Sequence, residues 1–179
     1  MEKYLLSIDD VVSLDFCKSL IFKFHKNQDA WLVRDNGRMR FNEINLSQNQ
    51  KIFDKELDIL YNVFLKCSNY YKSMFPSWQF PKSEAFEQIR MKHYPVNLGE
   101  FKPHVDASNF YNMKRFLVFF LYLDEGEGGE TVLFDQEVVV KRKPGRMLMF
   151  PPLWTFPHAG TMPTKNDKHI VGSYLHYHK

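Results

Sequence analysis

The segment Lys102-Pro103-His104-Val105-Asp106 places an imidazole and a carboxylate one residue apart. On an extended backbone successive side chains alternate, so His104 and Asp106 share a face and can grip one metal ion. A third donor, His158, follows in Pro157-His158-Ala159-Gly160. Two imidazoles and one carboxylate on one face of an ion leave coordination positions open. That is the facial donor set of non-haem Fe(II) centres, and Zn(II) accepts the same donors. An isolated His-x-Asp is more often a surface pair, so the reading depends on what else is near. Ten residues past His158 stands Lys168. An ammonium there would lie across a sheet from the metal and hold the far carboxylate of a small diacid.

These residues need a rigid frame. Ser13 caps a first helix with Phe16, Leu20, Ile21 and Phe24 on one face. Asn36-Gly37 marks a tight hairpin within residues 31–41. Ser47-Gln48-Asn49-Gln50 has the capping-box pattern. It opens a second helix, with Phe53, Leu57, Leu60, Tyr61, Phe64 and Leu65 along one side, that ends before Pro76. From about Phe86 strand-length segments alternate with Gly, Pro and Asn punctuation. The expected strands cover residues 86–94, 115–123, 131–134, 138–141, 146–150 and 168–177. The pattern predicts a mainly β fold with flanking helices: a jelly-roll core, cupin-like, braced by N-terminal α-helices. A single domain over 1–179 is expected, with 1–85 as helical support and hairpin and 86–179 as the catalytic core.

Composition excludes several classes. Of 179 residues, 44% are hydrophobic and 16% aromatic, which rules out intrinsic disorder. A net charge of +3 is too mild to argue for nucleic acid or a membrane surface. The longest apolar run, Phe116–Leu123, is strand-sized. The N-terminus carries acids where a signal peptide needs an apolar core, and only Cys17 and Cys67 are present. These features predict a cytoplasmic protein without disulfides, a monomer or weak homo-oligomer.

The stretch from about Ile89 to Tyr174 resembles the 2-oxoglutarate- and Fe(II)-dependent dioxygenases, in particular the prolyl 4-hydroxylase-like group. The resemblance rests on four stretches in order: Pro103-His104-Val105-Asp106; Phe120-Leu121-Tyr122-Leu123 leading into Gly128-Gly129-Glu130-Thr131; Lys143-Pro144-Gly145-Arg146-Met147-Leu148-Met149-Phe150; and Pro157-His158-Ala159-Gly160 with Lys168. It implies a double-stranded β-helix core. It implies Fe(II) held by His104, Asp106 and His158, with 2-oxoglutarate as cosubstrate, O2 as oxidant and ascorbate as an optional reductant. Lys168 corresponds to the cation that meets the distal carboxylate, Tyr122 to a phenol beside it, and Tyr94 to a tyrosine at the pocket mouth. The implied reaction hydroxylates an unactivated C–H bond and releases succinate and CO2. The retained carboxylate Asp106 favours hydroxylation over halogenation. Two departures stand out: Phe101 where the family often has Tyr, and Gly172-Ser173-Tyr174 where relatives often carry Trp.

Substrate is less legible. The resemblance suggests a prolyl residue in a peptide or protein. Arg34, Asn36, Gly37, Arg38 and Arg40 of the hairpin and the loop 107–114 are expected to border a groove. Trp31, Phe110, Tyr111 and Trp154 would stack on proline rings there. A free amino acid or other small metabolite is the alternative substrate, and a non-catalytic metal- or 2-oxoglutarate-binding protein the alternative function. Arg115 is read either as approaching the site or as forming a surface salt bridge. Gly128-Gly129 is read as a turn without chemistry. His25, His93, His169, His176 and His178 are expected to lack partners at ligand spacing, with His176-x-His178 as an adventitious metal pair at most. Asn45-Leu46-Ser47 matches a glycosylation acceptor.

Overall fold

The computed structural model describes residues 2–82, 84–134 and 137–178. Its strands, in chain order, are β1 Leu6–Ile8, β2 Leu32–Asp35, β3 Met39–Asn45, β4 Glu84–Phe86, β5 Arg90–Tyr94, β6 Glu100–His104, β7 Arg115–Tyr122, β8 Thr131–Leu133, β9 Val138–Val140, β10 Met147–Phe150, β11 His158–Gly160 and β12 Lys168–Tyr177. Two helices precede most of them, α1 Leu14–Lys26 and α2 Gln50–Ser73. The strands form one antiparallel sheet in the order β1-β10-β7-β12-β5-β3-β6-β11-β8-β9, with β2 added to β3 and β4 to β12. The sheet turns over between β3 and β6, bringing β6, β11, β8 and β9 opposite β7, β12 and β5. This is the jelly-roll, double-stranded β-helix fold expected from the sequence.

Two apolar layers follow from strand alternation. On β7, Leu117, Phe119 and Leu121 join the helix-facing layer with Leu20, Phe24, Leu60 and Phe64. Val118, Phe120 and Tyr122 point the other way, into the barrel with Leu133, Phe150 and Phe156. A strand buried on both faces needs an unbroken apolar run, which is why Phe116–Leu123 reads as one.

The caps and turns divide. Ser13 Oγ accepts from the Phe16 N–H at 3.1 Å, as expected. The Asn36-Gly37 hairpin forms, with Gly37 at φ 76°. The capping box does not. Ser47 Oγ instead accepts from the Ile89 N–H at 2.9 Å, and Asn49 caps α2 without a side-chain bond. The sheet edge outcompeted the helix end for that hydroxyl. On α2 the buried stripe is Phe53, Leu60, Phe64, Cys67, Ser68 and Tyr71, while Tyr61 and Leu65 face solvent. The expected strand over 86–94 is broken into β4 and β5, and β1, β6 and β11 were not among the strands read from periodicity. Each is only three to five residues long, and β6 and β11 carry Pro, His or Gly. Cys17 and Cys67 are buried and free. Among the described residues, no helix is long and apolar enough to cross a membrane.

Candidate metal and cosubstrate site

His104 ends β6 and His158 begins β11, and the two are direct cross-strand partners. Asp106 lies just beyond β6. Its Oδ1 is 3.6 Å from His104 Nε2 and its Oδ2 is 3.4 Å from His158 Nε2. The three donor atoms all lie within 4.8 Å of one another. Both rings are oriented from behind: His104 Nδ1 meets Lys102 O at 2.7 Å, and His158 Nδ1 meets Phe156 O at 3.1 Å. A carbonyl accepts only, so each Nδ1 carries the proton and each Nε2 offers a lone pair. Phe101 stacks on the His104 ring, centroids 3.6 Å apart.

Burial pushes the Asp106 carboxyl up, but the neighbouring imidazoles outweigh it and hold it well below the usual carboxylate range. Burial also lowers His104. The site is therefore an ionised carboxylate facing two imidazole Nε2 atoms. Asp106 Oδ2 and His158 Nε2 are buried and have no hydrogen-bond partner; their mutual 3.4 Å approach lacks bonding geometry. Orphaned buried polar atoms cost roughly 1–3 kcal/mol each, and a divalent cation would satisfy both at once. The donor set fits Fe(II).

Arg115 approaches the site, and its ion pair is part-buried rather than on the surface. Its Nε and Nη2 hold Glu87 at 2.9 and 3.0 Å, and its Nη1 donates to Asp106 O at 3.1 Å. It anchors the backbone of a candidate ligand.

Lys168 starts β12 opposite Tyr94 and is buried. It lines one cavity with His104, Asp106, His158, Tyr94 and Thr131. Among the described residues no carboxylate lies within ion-pair distance of its ammonium. Burial first, then the positive Arg142, lowers its pKa from 10.5 to about 7. Such a lysine awaits an anion. Tyr122 donates to Thr131 Oγ1 at 2.6 Å, so its hydroxyl stands behind Thr131 rather than at the cavity wall. Gly129 sits at φ 74°, and a Cβ there would lie 3.1 Å from Lys168 Cδ. The Gly-Gly turn therefore makes room for the lysine as well as for the bend.

Three features escaped the sequence reading. Lys92 is a second cation lining the same cavity. Its strand position, two before Tyr94, was the available signal, since i and i+2 share a face. Arg142, wholly buried, binds Asp124 at 2.7 Å, Gly128 O, Asp167 O and Asn166, and so fixes the loops behind Lys168. Finally, His25, His93 and His169 do not lack partners: their donor atoms lie within 4.8 Å of one another. Tertiary packing of three elements brings them together, which no local spacing foretells.

The surface residues divide as well. Phe110, Tyr111 and Trp154 are at least 80% exposed. Their loops are tied together beside Asp106 by the bond from Ala107 N to Pro152 O. Arg38 of the hairpin donates to Pro103 O. Trp31 is not a groove residue; it packs on Phe24 and gives its indole proton to Phe24 O.

Fold and site are those expected of a 2OG-Fe(II) oxygenase. The family model described as the 2OG-Fe(II) oxygenase superfamily matches residues 89–176, the segment that holds His104, Asp106, His158 and Lys168. The family implies Fe(II) and 2-oxoglutarate. Solved structures with the same fold include prolyl hydroxylases. A viral collagen prolyl hydroxylase of Paramecium bursaria Chlorella virus-1, in complex with 2OG, is 19% identical over 98% of this chain and 97% of that one, at a TM-score of 0.72. A prolyl-4-hydroxylase of Pseudomonas putida is 17% identical over 98% and 94%, at 0.74. A Trichoplax adhaerens prolyl hydroxylase, bound to a hypoxia inducible factor peptide, is 14% identical over 97% and 84%, at 0.73. No curated protein matches the chain.

Proposed function

We propose that this chain is an Fe(II)- and 2-oxoglutarate-dependent dioxygenase that hydroxylates an unactivated C–H bond of a prolyl residue in a peptide or protein, with succinate and CO2 as co-products. One observation carries the reading: Asp106 Oδ2 and His158 Nε2, without hydrogen-bond partners among the described residues, sit in the same cavity as a buried lysine that has no carboxylate partner among them.

In this reading His104, Asp106 and His158 hold the iron and Lys168 holds the distal carboxylate of 2-oxoglutarate, near Tyr94 and Thr131. Iron and 2-oxoglutarate together supply the activation of O2, with ascorbate an accessory reductant. The chain's own part is geometric. Lys102 O and Phe156 O hold each ring by its Nδ1–H and aim both Nε2 atoms at Asp106. Arg115 fixes the Asp106 backbone. Burial of Lys168 makes its ammonium selective for an anion that replaces lost water. The exposed aromatics Phe110, Tyr111 and Trp154 flank the site and suit a proline-containing chain. The peptide-bound Trichoplax relative supports this substrate class.

Lys92 favours a second reading, the same chemistry on a small carboxylate-bearing metabolite, because a second, partly buried cation lining the cavity would hold a free acid. The deciding experiment loads the chain anaerobically with Fe(II) and 2-oxoglutarate, admits air, and follows succinate against a His104→Ala control. A host proteome and a metabolite extract are then searched by mass spectrometry for gain of one oxygen. Oxygen on prolyl peptides is the expected result. Oxygen on small molecules alone selects the second reading, and succinate equal to the control selects a non-catalytic binding protein.

A further inference from the structure

On the opposite face of β5 and β12 from Tyr94 and Lys168, three histidines converge. His93 and His169 are cross-strand partners, and His25 reaches them from the last turn of α1. The three ring centroids form a near-equilateral triangle with sides of 4.8, 4.9 and 5.0 Å. Imidazoles sharing one ion with metal–nitrogen distances of ~2.1 Å would put their centroids ~5 Å apart.

Each strand histidine is oriented by a carboxylate. Asp124 Oδ2 accepts from His169 Nδ1 at 2.7 Å and from the His169 N–H at 2.8 Å, while its Oδ1 is held by Arg142. Asp167 Oδ2 lies 2.8 Å from His93 Nε2, while its Oδ1 accepts from the Val96 N–H. Carboxylates behind imidazoles are the usual outer shell of a metal site; they fix the tautomer and aim the free nitrogen. For His169 that nitrogen is Nε2, which meets His25 Nε2 at 2.8 Å. His25 carries a proton on Nε2 and donates it to His169 here, and a cation would take that proton's place. For His93 it is Nδ1, which meets the Asn42 amide at 3.2 Å. That amide donates to the Nδ1 lone pair, and a bound cation would displace it. Burial lowers both His25 and His93 from their ordinary value, which keeps them neutral and available as ligands.

We propose that His25, His93 and His169 form a second metal site that takes Zn(II) and clamps α1 to the sheet. Imidazole donors without thiolates suit Zn(II). The site lies directly behind the strand residues that carry Lys168 and Tyr94, so the clamp would stiffen the cosubstrate wall. It does not depend on the proposed oxygenase activity.

The test uses the His104→Ala chain, stripped with chelator, to remove the facial site. Metal content after Zn(II) loading is measured by elemental mass spectrometry, and the Co(II)-loaded protein by visible absorption. One equivalent is expected in His104→Ala and none in His104→Ala/His25→Ala. The Co(II) ligand-field bands and a Zn(II)-dependent rise in Tm should vanish together in the double variant. His25 is half-exposed at a helix end, so its removal should leave the far-ultraviolet dichroism intact, and His25→Gln serves as a second check. No equivalent in His104→Ala, or one that survives loss of His25, overturns the proposal.

Discussion

His104 and His158 face each other across β6 and β11, and each turns its Nδ1 onto the carbonyl two residues before it, Lys102 O and Phe156 O. The two strands run antiparallel yet repeat the same local device. It aims both Nε2 atoms at Asp106 before any ion arrives.

A preformed donor set should make metal binding a stabilising event. Fe(II) or Mn(II) at a hundredfold over its Kd would add about 2.7 kcal/mol of stability. His104→Ala and Asp106→Ala should lose this rise in Tm and lose succinate formation with it. Calorimetric scans with and without Mn(II) check the first effect. A variant that still gains Tm would mean the ion sits elsewhere.

Lys168 makes a prediction with a definite sign. Ligand-free, its ammonium is lowered to about 7, whereas the unfolded chain keeps the proton up to about 10.5. Between these values the unfolded state binds more protons, so the contribution of Lys168 to ligand-free stability rises with pH through that window. A dicarboxylate needs the ammonium. Its binding should therefore take up a proton near neutral pH and weaken as pH climbs above about 7. Calorimetry in buffers of different ionisation heat measures the uptake. Lys168→Met should raise ligand-free Tm at pH 6 and cost about 2–5 kcal/mol of 2-oxoglutarate affinity. Equal affinity in both proteins would assign the carboxylate to another cation, with Lys92 the first candidate.

Arg115 should act through Asp106 rather than on substrate. Arg115→Lys keeps a charge but loses the fork that spans Glu87 and Asp106 O. Outer-shell losses of this kind weaken metal binding by about 10–100-fold. The expected pattern is a raised Fe(II) requirement at unchanged KM for 2-oxoglutarate, and excess Fe(II) should restore most of the rate.

Legibility followed element length. Long periodic segments such as β7, β12 and α2 announce themselves, because burial repeats along them. The candidate metal ligands were legible for a different reason: His104 and Asp106 are local, and the Pro-His-Ala-Gly and Lys168 stretches fall in a recognisable order. What stayed hidden was tertiary. Ser47 lost its capping role to a strand edge contributed by Ile89, and Trp31 was drawn under α1 by Phe24. His25, His93 and His169 come from three separate elements, and their meeting depends on how α1 lies across the sheet. Arg142 has no local signal either, because the loops it binds come from three stretches of the chain.

The exposed aromatics test the substrate class. Phe110, Tyr111 and Trp154 pack on little of the chain, yet sit on two loops joined beside Asp106. Surface side chains of this kind contribute little to folding, so Tyr111→Ala and Trp154→Ala should leave Tm nearly unchanged. If they grip an extended peptide, each should raise KM for a prolyl peptide by about tenfold, a hot-spot loss of roughly 1.4 kcal/mol. Substrate-free turnover of 2-oxoglutarate should stay at the wild-type rate, since neither ring touches the metal or Lys168. The same peptide assayed against Lys92→Met separates the two substrate readings. A peptide enzyme should tolerate that change with little shift in KM, whereas an enzyme built for a small acid should lose binding of its substrate's carboxylate.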